Sequence, residues 1–327
     1  MACNKNSGRS RARRSGSVAA AALTLAALLA LAFPAATGAA AGRGPIRVTT
    51  TLSVLRALVE AVGGEKVRVE AIASPQFDPH FIEPKPSDIV KLGRSDFFVH
   101  MGLDLELWRG PLVEAAVNPR LLPGGEGEID AEVGIQLLEV PTRALSRAEG
   151  DIHLYGNPHY WLDPANAAIM AGRIADRLST ADGVDEAFFR GRAEALRDEL
   201  QRRTREWKAT LAPYRGERLV AYHNSWPYFA QVFGLRIDLF LEPKPGIPPS
   251  GAHLERLLAG MKKDAVKVII IERYQSRRTA EDLARQAGAQ VVELWQNPDP
   301  KSGYADMMDR NVKALAAALG GAPVAHP

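Results

Sequence analysis

The sequence predicts an α/β protein of two lobes, each a parallel sheet covered by helices, joined by one long and rigid helix. Short apolar runs alternate with helical segments from residue 46 to 116 and again from 218 to 320. These runs are dense in Val, Ile, Leu and Phe, as strands buried on both faces are, which argues for parallel sheets. One stretch of helical spacing, from Asp185 to about Leu211, stands between the two alternations.

In the first alternation, IRVTTTL (46–52) reads as a buried strand, and 53–64 as a helix capped by Ser53 and closed by glycines. VRVEAIAS (67–74) is a second strand that runs into the loop carrying His80. Residues 86–96 form a short helix, 97–102 a third strand, and 105–116 a helix in which Pro111 marks a kink or a first turn. Residues 121–157 are rich in Gly and charge, a surface loop region with one or two short strands. Asp163-Pro164 is an N-cap followed by a proline at the first helical position, opening a helix to about Leu178. The long segment has acids early and bases late, as the helix macrodipole favours, and would span about 40 Å. The second alternation runs strand 218–223, helix 226–234, strand 236–241, a Pro-rich loop, and a helix capped by Ser250. It ends with strand 266–272, helix 279–288, strand 290–294 and a closing helix at 303–320. The expected divisions are a leader at 1–41, an N-terminal lobe at 42–180, the linking helix at 181–213 and a C-terminal lobe at 214–327.

The leader reading rests on five basic residues without an acid, an apolar stretch from Val18 to Phe33, and small residues ending at Ala41. That order is the one of a secretory signal peptide. Removing those five bases turns a net charge of +3 into about −2, so the basic balance does not point to nucleic acid. Cys3, the only cysteine, precedes the apolar stretch and cannot be a lipid-bearing cysteine that follows one. The remaining chain, about 285 residues, has no thiolate or disulfide, so any metal must be held by His, Asp or Glu.

Three of the seven histidines stand at turns where strands or loops deliver residues to a cleft: His80 in FDPHFIEP, His159 in GNPHYWLDP and His223 in LVAYHNSW. Each alone is as readily a surface or packing histidine; together they point to a divalent metal, because imidazole is the usual neutral ligand. His100, inside FFVHMG, reads as a packed core histidine. His153, in DIHLYG, reads as solvated, with an accessory ligand as the alternative, His253 as a surface residue and His326 as part of the tail. Asp78, Glu83 and Asp163 are the acids placed to receive ring N–H groups. No HExxH, G-x-S-x-G or P-loop is present, so a hydrolytic enzyme lacks its motif.

DPHxxEPKPSDI, GLDLExW, NPHYWLDPANA and the segments around YHNSWPYFAQVFGL and VIIIERYQSRRTAEDLARQAGAQVVEL resemble the substrate-binding proteins of bacterial zinc and manganese ABC importers. The likeness covers residues 46 to about 320. It implies a metal held between the lobes, with His80 and His159 as N-lobe ligands and His223 as the first C-lobe ligand. The carboxylate that many relatives carry after the last strand is replaced here by ELWQNPDP. The fourth position is open among Glu272, Glu293, Asp299 and water, with Glu272, at the end of a buried strand, preferred. The histidine-rich run that many relatives carry before His159 is also missing. Three imidazoles with at most one carboxylate suit tetrahedral Zn²⁺, and Mn²⁺ is the alternative cargo. The resemblance further implies a monomeric periplasmic carrier that serves a permease and its cytoplasmic ATPase, not an enzyme; a metal-dependent adhesin is the competing reading.

Overall fold

The computed structural model describes residues 44–142, 153–181, 186–244 and 246–321; the leader, Cys3 and His326 lie outside them. The described residues form two four-stranded parallel sheets. The first contains β1 (Ile46–Thr50), β2 (Val67–Ala71), β3 (Phe97–His100) and β4 (Glu128–Asp130) in the order β2-β1-β3-β4. The second contains β5 (Arg218–Ala221), β6 (Arg236–Phe240), β7 (Val268–Ile271) and β8 (Gln290–Glu293) in the order β6-β5-β7-β8. The two sheets therefore share one topology. In each, the strand order reverses beside the first strand, and ligands of open α/β sheets bind at the carboxyl ends near such a reversal.

Helices α1 (Ser53–Gly63), α2 (Pro86–Gly93), α3 (Arg109–Ala115) and α4 (Pro164–Leu178) accompany the first sheet. Asp163 caps α4, its carboxylate accepting the Ala165 N–H at 2.8 Å, with Pro164 in the first turn. Helices α6 (Pro227–Phe233), α7 (Gly251–Lys263), α8 (Arg277–Ala287) and α9 (Tyr304–Leu319) accompany the second. Between them runs α5 (Glu186–Leu211), 26 residues long, which at 1.5 Å per residue spans about 39 Å. Its buried residues, Phe189, Ala193, Leu200, Trp207 and Leu211, recur every four or seven positions and form one stripe on an otherwise polar helix. Single changes in helix ends relative to the sequence reading are small. The largest is at 105–116, where the helix starts only at Arg109 and Pro111 sits in its first turn.

One apolar core continues from lobe to lobe, taking in Leu55 and Trp161 on one side, Trp226 and Met308 on the other, and the α5 stripe. Fully burying a side chain of this size contributes about 2–3 kcal/mol, so this shared core resists separation of the lobes. Polar contacts add direction to it. Trp161 donates its indole N–H to the Gln296 carbonyl at 2.8 Å, and the Tyr304 hydroxyl donates to the Trp161 carbonyl at 2.7 Å. The Tyr228 hydroxyl accepts the Leu138 N–H at 2.9 Å and donates to the Asn157 carbonyl at 2.8 Å. A pair of lobes stapled this way, along one long helix, is built for small displacements at the cleft rather than wide opening.

Candidate metal centre

The carboxyl edges of both sheets supply the site. After β2 the chain passes through Asp78-Pro79-His80, where Asp78 caps a single 3₁₀ turn, Pro79–Phe81. One Asp78 oxygen accepts both the His80 backbone N–H, at 3.0 Å, and the ring Nδ1–H, at 2.7 Å. The Trp108 indole donates to the Pro79 carbonyl at 2.9 Å and steadies the turn from behind. The same device recurs at Asn157-Pro158-His159. The Asn157 Oδ1 accepts the His159 backbone N–H and its ring Nδ1–H, each at 3.0 Å. Asn157 Nδ2 donates to the Asn224 carbonyl and to Glu139, which fixes which end of the amide is the oxygen. In both motifs the proline limits the backbone between the anchor and the ring it holds.

His223 lies two residues past the end of β5, and its Nδ1 meets Glu242 Oε2 at 2.9 Å; Glu242 lies two residues beyond β6. The fourth ring is His153. Its Nδ1 lies 3.3 Å from Asp104 Oδ1, while the other Asp104 oxygen accepts the Leu154 N–H at 2.8 Å. Asp104 itself is buried, in the loop that follows β3.

One outcome follows for all four rings. A carboxylate or a fixed amide oxygen only accepts, so each neutral ring carries its proton on Nδ1 and presents the Nε2 lone pair. The Nε2 atoms of His80, His153, His159 and His223 are all buried and without a hydrogen-bond partner. The ligand atoms of the four lie within 4.8 Å of one another. Unpartnered buried acceptors cost roughly 1–3 kcal/mol each, so four of them facing one another need a common partner, and a divalent transition metal is the one that fits.

Charge reinforces the arrangement. Burial, followed by the charges of the neighbouring rings, holds the His159 imidazole well below the usual histidine range. Burial also lowers His153, against the pull of Asp104. Burial acts the same way on His223, but its hydrogen bond to Glu242 and the charges of Glu242, Glu272 and Asp78 outweigh it, and His223 is raised. His223 therefore keeps its proton to higher pH than His153 or His159.

The structure brings His80, His159 and His223 together, and sets His153 beside them in place of the solvated role expected for it. Its ring stacks on that of His80 at 5.3 Å between centroids. The sequence signal was its position six residues before His159 on one loop; what was illegible was Asp104, some fifty residues earlier, which pulls the ring inward. Glu272 is not among the converging ligand atoms. Its Oε1 accepts the Trp226 indole N–H at 2.8 Å and the Gln296 amide at 3.0 Å. Burial pushes its carboxyl up to about 7, with His223, Gln296 and Trp226 pulling the other way. Glu293 and Asp299 are engaged elsewhere: Glu293 accepts the Trp295 indole N–H at 3.0 Å, and Asp299 pairs with Arg273 at 2.6 Å. Of the acids expected to orient rings, Asp78 does so, whereas Glu83 is exposed and Asp163 serves as the α4 cap. Asp104, Asn157 and Glu242 take the remaining places. His100 is fully buried, with Nε2 2.9 Å from Glu128, as a core histidine should be, and His253 bonds the Phe240 carbonyl.

Two parallel-sheet lobes on one helix, with a histidine cluster at their carboxyl edges, define a metal-binding protein of the bilobal carrier type. The chain belongs to the family described as zinc-uptake complex component A, periplasmic, whose profile matches residues 48–318. It is 27% identical over 312 residues to the zinc-binding lipoprotein AdcA of Streptococcus pneumoniae, covering 90% of this chain. It spans only 60% of the length of that relative. A crystal structure of ZnuA superposes with a TM-score of 0.71 at 26% identity, covering 85% of this chain and 99% of the other. The manganese ABC transporter substrate-binding lipoprotein PsaA of Streptococcus pneumoniae is 22% identical, over 88% of this chain and 94% of its own length.

Proposed function

We propose that this protein captures Zn²⁺ outside the cytoplasm and hands it to an ABC importer, a membrane permease driven by a cytoplasmic ATPase. The observation that carries the reading is the set of four buried, unpartnered Nε2 atoms on rings whose ligand atoms lie within 4.8 Å of one another. His80, His153, His159 and His223 are the proposed ligands, with Glu272 a carboxyl group in the wall beside them. The family description and the name of AdcA support zinc and the extracytoplasmic setting. The name of PsaA keeps manganese among the family's metals, but an all-imidazole set argues against it here, because Mn²⁺ favours oxygen donors and higher coordination. Four neutral nitrogens instead match the tetrahedral preference of Zn²⁺.

No described helix is long and apolar enough to cross a membrane. The basic, apolar and small-residue order of 1–41 supports export, and a monomer is the state proposed for the carrier.

The test is titration of metal-free protein with Zn²⁺ and Mn²⁺ in competition with chelators, with X-ray absorption at the zinc edge of the loaded protein. Tight zinc binding with about four nitrogen scatterers near ~2.0–2.1 Å and outer-ring imidazole scattering is the expected result. Tighter binding of Mn²⁺ than of Zn²⁺, or a first shell dominated by oxygen, refutes it.

A further inference from the structure

Away from the metal, β1 and β2 set two arginines side by side. Arg47 and Arg68 are paired in register on these neighbouring parallel strands and therefore point to the same face of the sheet. Val67 and Val69 pack on the core from the other face, whereas Arg68 and Glu70 are exposed. Like charges directly opposite each other destabilise a sheet, so folding does not account for this pair. Lys91, in the last turn of α2, and Arg94, just after it, stand over the same face. Between helix and strands lies a cleft of about 420 Å³, lined by these four cationic residues and by a single acid, Glu70.

Two of the four charges are matched. Arg47 reaches Asp96 at 3.4 Å, and Lys91 stands 3.2 Å from Asp88 and 3.6 Å from Glu70. Arg68 and Arg94, both exposed, form no ion pair among the described residues. The negative end of the α2 dipole favours Lys91 and Arg94 where they are, but it gives no reason for Arg68 on a strand. Nor is the surplus a sample of a basic protein, since the chain beyond residue 41 carries a net charge of about −2 by count. The cluster comes from two strands and a helix, so no run of basic residues announces it.

We propose that this cleft binds an anion carrying a phosphate group, held by Arg68 and Arg94 with Arg47 beside them. A guanidinium offers a planar fork of N–H donors that matches phosphate oxygens, and a phosphate monoester carries about −1.5 to −2 charge at neutral pH. That charge matches two unpaired guanidiniums, where a carboxylate would leave one of them over. It also offsets the repulsion between Arg47 and Arg68. Both arginines lie in the amino-terminal halves of their strands, whereas the histidines stand at the carboxyl edges, so an occupant here leaves the metal cleft open. A soluble phosphate monoester and a phospholipid headgroup offer the same chemistry.

The experiment uses the full protein, with and without zinc, titrated calorimetrically with inorganic phosphate at constant ionic strength and with chloride as the reference anion. In parallel the protein is sedimented with phosphatidylcholine vesicles, with and without phosphatidic acid. Arg68→Gln/Arg94→Gln is expected to weaken phosphate binding by about tenfold or more, the equivalent of at least one lost charge-assisted bond, and to leave zinc affinity within about twofold. Arg68→Gln alone is expected to raise the melting temperature without phosphate, by relieving Arg47, and to lower it relative to the unmodified protein in saturating phosphate. A purely structural arginine would not show that reversal. Phosphate binding without vesicle binding assigns a soluble ligand; vesicle binding that needs phosphatidic acid and is lost in the double variant assigns a headgroup. Binding unchanged in the double variant, binding matched by chloride, or binding of neither probe overturns the site. Phosphate bound only when zinc is present belongs to the metal centre and overturns it too.

Discussion

Glu272 is the residue whose replacement separates two accounts of the site most sharply. Its carboxyl is 1% exposed and is pushed from an ordinary 4.5 up to about 7 by burial. In the unfolded chain the group ionises near its ordinary value, so between that pH and about 7 the unfolded state sheds a proton that the folded state keeps. Metal-free protein therefore loses stability as pH rises through this window, and the loss is complete above it. A gap of about 2.5 units corresponds to about 3 kcal/mol at 1.36 kcal/mol per unit. Glu272→Gln removes the ionisation but keeps an oxygen for the Trp226 and Gln296 donors, and its new N–H faces a neighbourhood in which Gln296 Oε1 has no partner. Chemical denaturation of metal-free protein should thus show the variant more stable by about 3 kcal/mol at pH 8 and little different at pH 4.5. Zinc affinity should change by less than about tenfold, the scale of an outer-sphere change and not of a lost ligand. A variant no more stable at pH 8 than at pH 4.5, relative to the unmodified protein, refutes the buried-acid reasoning. A zinc affinity reduced by more than about a hundredfold would restore Glu272 as a ligand.

Other outcomes follow from the same geometry. His153→Ala should weaken zinc binding by more than about a hundredfold, since a ligand counts for more than the outer partner that orients it; competition with a chelator measures this, and an unchanged affinity removes His153 from the site. Asp104→Asn should cost about 10–100-fold by the same assay and leave the melting temperature of metal-free protein nearly unchanged; a drop in affinity no larger than twofold would detach Asp104 from the site. Zinc affinity should fall as pH drops, with His223, whose pKa is raised, taking a proton before His153 and His159, at about one decade per pH unit for each proton displaced. Because Glu242 is what raises His223, Glu242→Gln should move the onset of that fall to lower pH; an onset that stays put would show that another ring controls it.

Much of the fold is written in local pattern. The near-continuous apolar runs mark β1, β3, β5 and β7, and the Asp163-Pro164 and Ser250 caps open α4 and α7 where the sequence places them. His80 and His159 are legible for a related reason: each stands in an Asx-Pro-His motif, whose anchor, rigid link and ring are contiguous, and His223 follows a strong strand. These are interactions over two or three residues, and short spacing is what a sequence displays.

The fourth ring is a different matter. His153 is turned toward the others by Asp104, and His223 is held by Glu242, across separations of 49 and 19 residues that only the sheets close. Glu272 ends a buried strand, as a ligand would, yet a strand end says nothing about whether an indole and an amide already occupy one of its two oxygens, Oε1, while Oε2 stays unpartnered. The amino-acid order by itself determined the two sheets, the helix between them and three of the converging imidazoles, because periodicity and local turns are short-range physics. Which polar group satisfies which is long-range physics, and the tertiary structure alone brought a fourth histidine, His153, to the other three.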